Sequence, residues 1–150
     1  MDELEPVLVE DPIGRRYTYR EVRVRIHQAR FRARVIPAYR KRCAICRLRE
    51  VRLLDAAHIV GDAESEGEPA ISNGLSLCSI HHRAFDRDLV GVSPDLMVRL
   101  SPRLLDDQDG PMLDVLKGFE GMTIEVPRRP EWRPNPIALA SRFDRFTAAA

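Results

Sequence analysis

The chain has 150 residues, of which 44% are apolar and 31% are charged, and its net charge is +1. This length and composition indicate one globular domain and exclude an intrinsically disordered chain. No apolar run approaches the roughly 20 residues that a membrane span needs, and the acidic N-terminus MDELEPVLVE lacks the pattern of a signal peptide. We therefore expect a cytoplasmic protein without membrane contact.

The N-terminal segment differs in composition from the rest of the chain. Proline and glycine recur in its first fourteen positions, which is typical of loops and linkers. We therefore predict that residues 1–19 form an arm or the remnant of a linker from an upstream domain. Residues 20–150 are then predicted to form one domain, with a motif core at about 40–92.

The basic segment that follows is predicted to be mainly helical. Residues 22–26 alternate between apolar and basic side chains like a short strand, but the later apolar positions recur at helical spacing. We predict a helix over about 26–40, in which Pro37 causes a kink or a break. Phe31 and Tyr39 fall at its apolar positions and are predicted core residues.

A strand–loop–strand–helix unit is predicted next. VRLLDAAHIV (51–60) and LSLC (75–78) are rich in strand-forming side chains and flank a polar loop that contains glycine and proline. Ser79 is expected to cap a helix that ends near Asp86. Phe85 in that helix is expected to pack against both strands.

The C-terminal third is predicted to contain several short elements. Trp132 lies in its Pro-rich turn RRPEWRPNP and is expected to fill the core beneath that turn. The predicted elements, in order, are a hairpin over 89–101, a short helix over 111–119, a strand over 122–126, and a final helix over 136–146 with Asn135 as its N-cap.

Positive charge is concentrated in one part of the chain. Between Arg15 and Arg52 the sequence has fourteen Arg or Lys residues against two acidic residues. This asymmetry indicates a polyanionic partner at one face, although a solvated helix surface gives the same pattern. His27 lies in this segment, and we expect it to lie at the surface or to contact a phosphate.

Three cysteines and one histidine have the spacing of a metal site. Cys43 and Cys46 form a CxxC pair, and Cys78 and His81 form a CxxH pair. Two such pairs supply side chains that converge on one tetrahedral zinc ion, and an odd number of cysteines argues against a disulfide framework. We predict a closed structural zinc site; the alternative is three reduced cysteines that pack as small core side chains.

A second set of polar residues is interleaved with the first. His82 follows His81 directly, and adjacent residues of a helix point about 100° apart. If His81 binds the zinc ion, His82 is therefore left for another site. Together with His58 and Asn73 it forms a series with 14 and 8 intervening residues.

DAAHI (55–59), NGLSLC (73–78) and HHRAFD (81–86) together resemble the HNH endonuclease family, which has the ββα-metal fold. The cysteine and histidine pairs resemble the structural zinc knuckle that many members carry. The resemblance covers roughly residues 30–100. It implies an α+β chain whose ββα-metal core and zinc knuckle follow a basic helix and precede a small hairpin and a C-terminal helix.

The resemblance implies a role for each residue of the second set. His58 is expected to be the general base, which takes a proton from water. Asn73 is expected to fix the loop by hydrogen bonds from its side chain to the backbone. His82 is expected to bind a divalent catalytic ion, Mg²⁺, Mn²⁺ or a similar ion, that stabilises charge on the phosphate.

Two carboxylates are candidates to complete this catalytic metal site. Ala57 stands where many family members have an acidic metal ligand, so we expect Asp55, on the same face of the strand, to replace it. The alternative for Asp55 is a solvated residue at a strand edge. Asp86 follows His82 by four residues and is a further candidate ligand, or else it only helps to form the turn at the end of the helix.

The resemblance implies metal-dependent hydrolysis of DNA phosphodiester bonds, of the type found in bacterial restriction-like nucleases, some of which have an upstream sensor domain for modified DNA. One active site cuts one strand, so a homodimer is the expected form for double-strand cleavage. The alternatives are a non-catalytic zinc-stabilised DNA-binding module and a toxin nuclease released from a longer chain. The residues expected to bind backbone phosphates are Arg40, Lys41, Arg42 and Arg47.

Overall fold

The computed structural model describes residues 12–61, 69–108 and 110–149. These residues form an α+β fold, as the sequence predicts. The helices and strands follow one another as α1 (Pro12–Ala38), β1 (Leu54–His58), β2 (Gly74–Cys78), α2 (Ser79–Asp86), β3 (Val90–Val92), β4 (Val98–Leu100), α3 (Pro102–Asp106), α4 (Pro111–Lys117) and α5 (Pro136–Ala149).

The centre of the fold is a ββα unit made of β1, β2 and α2. The two strands are antiparallel, with Leu54 opposite Cys78 and His58 opposite Gly74. Helix α2 starts directly after β2, so the predicted strand–loop–strand–helix order is confirmed. This arrangement is the ββα-metal core, with α1 and α2 both packed against the hairpin.

The N-cap of α2 was expected at Ser79, and this prediction is wrong. Cys78 has extended backbone angles, and its Sγ accepts a hydrogen bond from the His81 N–H at 3.5 Å. Ser79 already lies inside the helix, and its hydroxyl donates to the Leu53 carbonyl at 3.3 Å. The Cys78 side chain therefore caps the N-terminus of α2 and also faces the other cysteines.

Helix α1 is longer than the sequence predicts, because it includes residues 22–26, which were expected to be a strand, and residues 12–19 of the expected arm. The alternation misleads here because Val22, Val24 and Ile26 are all exposed and do not bury one face. Pro37 lies in the last turn, and the helix ends one residue later. Residues 1–11 lie outside the described residues, so the division at residue 19 stays a prediction.

The second half of α1 covers the β1–β2 hairpin. Phe31, Val35 and Tyr39 are buried there, and the Tyr39 hydroxyl donates to the Gly74 carbonyl at 2.9 Å. A Cβ atom at Gly74 would lie 2.6 Å from a Val35 methyl group and 2.8 Å from the Phe31 ring. The absence of a side chain at this position therefore lets α1 approach the hairpin closely.

The C-terminal part differs from its prediction at two elements, because α3 (Pro102–Asp106) was not predicted and the expected strand over 122–126 does not form. The hairpin β3–β4, the helix α4 and the Asn135 cap of α5 are confirmed, with the Asn135 Oδ1 accepting from the Ile137 N–H at 2.9 Å. The segment 122–126 is not a strand and has only a bridge between Met97 and Thr123. Its backbone leaves β4 and instead pairs Glu125 with Ala44, at 2.9 Å.

The core confirms the predicted aromatic residues. Phe31, Tyr39 and Phe85 are buried, and Trp132 is partly buried and packs against the same core. The Trp132 ring also carries the Arg129 guanidinium 4.6 Å from its centroid. Among the helices that the structure describes, none combines the length and the apolar character needed to cross a membrane.

Candidate metal centre and catalytic site

Four metal-ligand residues converge from three parts of the fold. Cys43 and Cys46 lie in the turn after α1, Cys78 ends β2, and His81 lies in the first turn of α2. The turn is closed by hydrogen bonds from Cys43 N–H to the Leu48 carbonyl and from Cys46 N–H to the Cys43 sulfur. The chain thus forms the predicted knuckle beside the start of α2.

The donor atoms of these four residues lie within 4.8 Å of one another. The Cys46 and Cys78 sulfurs are 3.9 Å apart, and the His81 Nδ1 lies 3.7 Å from the Cys43 sulfur and 3.3 Å from the Cys78 sulfur. Ligands about 2.3 Å (sulfur) and about 2.0 Å (nitrogen) from a tetrahedral zinc ion are about 3.5–3.8 Å from each other. The geometry and the donor chemistry therefore fit zinc.

The charges in this cluster favour the metal-binding form of a cysteine. Hydrogen bonding with Cys46, and then with Cys78, lowers the pKa of the Cys43 thiol. Burial opposes protonation of His81, but hydrogen bonds to Cys43 and Cys78 outweigh it and raise the pKa of His81 to about 9. Hydrogen bonding with Cys43, and then with Cys78, raises the pKa of the Cys46 thiol. Zinc binds thiolates and neutral imidazole, so we expect binding at this cluster to release protons.

His82 faces a different set of partners from its neighbour His81. Its Nδ1 lies 3.0 Å from the Asp55 Oδ2 on β1, and its Nε2 lies 3.1 Å from the Asp86 Oδ2 on α2. Side chains alternate along β1, which directs Asp55 toward α2. Adjacent imidazoles therefore serve two separate clusters.

The pair of Asp55 and His82 has the spacing of two ligands of one ion. The observed separation of 3.0 Å is that of a hydrogen bond. It is also the separation of two donors at right angles to each other, each about 2.1 Å from an octahedral ion. The His82 side chain is 27% exposed and the Asp55 side chain is 47% exposed. A site at this place is therefore open to water and to a phosphate group.

The Asn73 side chain closes the loop between β1 and β2. Its Oδ1 accepts from the Val60 N–H at 3.1 Å, and its Nδ2 donates to the Val60 carbonyl at 3.0 Å. The Asn73 carbonyl also accepts from the Ile59 N–H at 2.9 Å. These bonds are of the side-chain-to-backbone type expected for Asn73, and they fix the two residues that follow His58.

His58 lies beside α1. Its ring is stacked on Phe31, with the ring centroids 4.0 Å apart and the planes inclined by 8°. Asp55, three residues earlier on the same strand, is turned toward α2 instead. The structure thus brings Asp55, His82 and Asp86 together and places His58 against α1, and the role of His58 as the base stays a proposal.

The sequence analysis missed Arg142 on α5. This buried guanidinium donates to the Phe85 carbonyl at 2.8 Å and to the Ile59 carbonyl at 3.4 Å, and it lies 3.8 Å from the Asp86 Oδ1. No local motif marks an arginine that reaches its partners across more than fifty residues of sequence.

The four residues expected to bind phosphates have different surroundings. Arg40 and Arg47 both lie near Glu125, at 3.8 Å and 3.3 Å, so part of their charge is compensated within the chain. Lys41 is exposed and Arg42 is partly buried. Within the predicted phosphate surface, Arg40 and Arg47 therefore share an acidic partner, which distinguishes them from Lys41 and Arg42.

Comparison with known proteins identifies the segment that holds both clusters. Residues 43–93 match the family model described as HNH endonuclease, about a third of the chain. No curated protein sequence matches. A solved structure described as a modification dependent TagI restriction endonuclease is similar, with 19% sequence identity and a TM-score of 0.47, covering 78% of this chain and 37% of that chain. Residues 43–93, which contain the ββα unit and both clusters, therefore match the HNH endonuclease family.

Proposed function

We propose that this chain is a metal-dependent endonuclease that hydrolyses DNA phosphodiester bonds. The match of residues 43–93 to the HNH endonuclease family supports a nuclease function, and the basic residues of the chain suit a DNA substrate. The observation that supports the metal-dependent mechanism is the 3.0 Å separation of the His82 Nδ1 and the Asp55 Oδ2 inside the matched segment.

The residues of this pair fit a hard divalent ion. One carboxylate oxygen and one imidazole nitrogen, both partly exposed, leave coordination positions for water and phosphate, as Mg²⁺ and Mn²⁺ require. When bound, such an ion would stabilise negative charge on the phosphate and on the leaving 3′ oxygen. Asp55 and His82 would hold the ion, and Asp55 would replace the acidic ligand that is missing at the buried Ala57.

His58 is proposed as the general base that removes a proton from the attacking water. The stacking of its ring on Phe31 restricts the plane of the imidazole. The two hydrogen bonds between Asn73 and Val60 restrict the backbone directly after it. Both restraints support a fixed orientation of the base, which catalysis by proton transfer requires.

The second metal is proposed to be a structural zinc ion bound by Cys43, Cys46, Cys78 and His81. Three of these four residues are buried, so the site is closed, as structural zinc sites are. By joining the turn after α1 to the β2–α2 junction, the ion would hold α2 in place. The orientation of His82 depends on that junction, because His82 follows a zinc ligand directly.

Plasmid nicking tests the catalytic proposal. The wild-type chain is expected to convert supercoiled plasmid to nicked circles with Mg²⁺ or Mn²⁺, and to leave 5′-phosphate and 3′-hydroxyl ends. His58→Ala should lower the rate by about 100-fold or more, since general-base catalysis contributes about 10²–10⁴-fold. A His58→Ala protein that cuts at the wild-type rate would remove His58 as the base.

One observation favours a second function, a non-catalytic DNA-binding module. Position 57, where many family members have an acidic ligand, is a buried alanine. A module of this kind would keep the zinc knuckle and the basic surface and would bind DNA without cutting it. The same assay decides between the two functions. Wild-type protein that binds plasmid but does not cut it, whichever divalent ion is added, would be the non-catalytic module.

We further propose a restriction-type role in which two copies act on the two DNA strands. One active site cuts one strand, so double-strand cleavage requires a homodimer or two successive binding events. An upstream domain that recognises a DNA sequence or a modified base belongs to the same proposal. Sedimentation of the chain with a short duplex distinguishes one copy per duplex from two.

A further inference from the structure

Both ring nitrogens of His82 face a carboxylate. Asp55 lies 3.0 Å from Nδ1, and Asp86 lies 3.1 Å from Nε2. The two nitrogens point away from opposite sides of the imidazole ring, so an ion bound at one nitrogen is out of reach of the carboxylate at the other. If an ion binds at His82, one carboxylate would share it with the ring, and the other would accept the hydrogen of the remaining ring nitrogen.

Asp86 has the surroundings of the hydrogen-bond acceptor. It follows His82 by one helical turn, so the α2 backbone itself fixes the distance between the two side chains. Its second oxygen lies 3.8 Å from the Arg142 guanidinium, whose side chain is 10% exposed. The positive charge of Arg142, which also lies 3.9 Å from the Asp88 Oδ1, disfavours a second cation beside Asp86.

Arg142 connects this carboxylate to both parts of the catalytic motif. It donates to the carbonyl of Phe85, next to Asp86, and to the carbonyl of Ile59, next to His58. It also lies over the Phe85 ring, 4.3 Å from its centroid. Arg142 on α5 thus links the end of α2 to the residue that follows β1.

We propose that Asp86, held by Arg142, is a positioning residue that accepts the Nε2 hydrogen of His82 and leaves Nδ1 to bind the catalytic ion together with Asp55. Histidines that bind metals usually donate their other ring hydrogen to a carboxylate or carbonyl, which fixes the tautomer and the ring plane. The inference rests on the proposed metal-dependent nuclease function. It assigns the two carboxylates different roles at one imidazole.

Titration of the zinc-loaded full chain with Mn²⁺, followed by calorimetry, tests this assignment without any cleavage assay. Asp86→Ala should weaken Mn²⁺ binding by about 10–100-fold, the usual effect of losing such a partner. Asp86→Asn should restore binding to within about threefold of wild type, because its amide oxygen still accepts the Nε2 hydrogen. Asp55→Asn should not restore what Asp55→Ala loses, because a ligand charge is missing. The control Asp114→Asn, at an exposed position of α4, should bind like wild type.

The same titration tests the part played by Arg142. Arg142→Met should weaken Mn²⁺ binding, and the double variant Asp86→Ala, Arg142→Met should bind no more weakly than Asp86→Ala alone, because Arg142 acts through Asp86. Thermal unfolding of each variant shows whether the fold is retained. If Arg142→Met does not fold, the comparison of Asp86→Asn with Asp86→Ala still decides the proposal.

A ring nitrogen spectrum gives a second readout. In the Mg²⁺-loaded chain, long-range ¹H–¹⁵N correlations of His82 should place its proton on Nε2. A proton on Nδ1, or rescue by Asp55→Asn and not by Asp86→Asn, would overturn the proposal and make Asp86 the co-ligand. Wild-type protein that binds no Mn²⁺ beyond its zinc would instead overturn the proposed function, and the inference with it.

Discussion

The Nδ1 of His82 on α2 lies 3.0 Å from the Oδ2 of Asp55 on β1, although 27 residues separate them in sequence. The antiparallel register of β1 and β2 produces this pair, because it sets Asp55 opposite Leu77, one residue before the end of β2. Helix α2 begins directly afterwards and carries His82 back over β1. The hairpin and the helix thus assemble a candidate metal site from residues distant in sequence.

Removal of zinc is expected to unfold the core and not only to inactivate the protein. Zinc would join the turn after α1 to the β2–α2 junction, and zinc binding contributes about 10–16 kcal/mol in small zinc domains. Metal analysis after dialysis should find about one zinc per chain. Zinc-free protein that keeps its near-ultraviolet circular dichroism would contradict the structural role.

Gly74→Ala is expected to destabilise the fold by about 1–3 kcal/mol, the usual cost of overpacking a core. The added methyl group would lie 2.6 Å from a Val35 methyl group and 2.8 Å from the Phe31 ring. Gly61→Ala is the matched control, because no atom lies within 4 Å of a Cβ there. Urea denaturation measures both variants, and equal midpoints would show that α1 is not tightly packed on the hairpin.

Asn73→Asp is expected to destabilise the chain by about 1–3 kcal/mol, even though the two side chains have the same shape. The substitution removes the donor to the Val60 carbonyl and places a carboxylate oxygen 3.0 Å from that carbonyl. The free energy of unfolding, measured with urea at neutral pH, tests this. Stability should partly recover at low pH, where the carboxyl is protonated and donates again; no difference from wild type at neutral pH would refute the loop-closing role.

We expect single substitutions in the basic surface to change the salt dependence of DNA binding by different amounts. Lys41→Ala and Arg42→Ala should each lower the slope of log affinity against log salt by about 1, the value for one phosphate contact. Arg40→Ala should change it less, since Arg40 is paired with Glu125. Arg103→Ala on α3 is the control. Fluorescence anisotropy without added magnesium measures the slopes. Equal slopes for these three variants and the control would show that DNA does not bind at this surface.

The elements that the sequence predicts well are those fixed by local chemistry. The CxxC and CxxH pairs predict that the four side chains meet, because cysteine and histidine at this short spacing are typical of metal sites. The β3–β4 hairpin and the Asn135 cap also follow from residues adjacent in sequence. The ββα order follows from two apolar strands and the helix directly behind the second strand.

The features that the sequence does not predict depend on tertiary contacts. Residues 22–26 alternate like a strand, but they belong to a helix in which residues 18–26 are all exposed, so no buried face reveals the helical period there. The segment 122–126 has the composition of a strand, yet its backbone pairs with β4 and then with Ala44, so no regular ladder forms. Arg142 reaches Asp86 from a separate helix, and only the folded chain places them together.

Cleavage of supercoiled plasmid by the His82→Ala and Asp55→Ala variants tests the central claim most directly. Both variants should keep their zinc, their thermal unfolding midpoint and their affinity for DNA, because His82 and Asp55 lie outside the zinc cluster. Their cleavage rate with Mg²⁺ or Mn²⁺ should fall by about 100-fold or more, since a lost metal-ion contribution is worth several kcal/mol. Wild-type cleavage by either variant would contradict the assignment of this pair as the catalytic metal site.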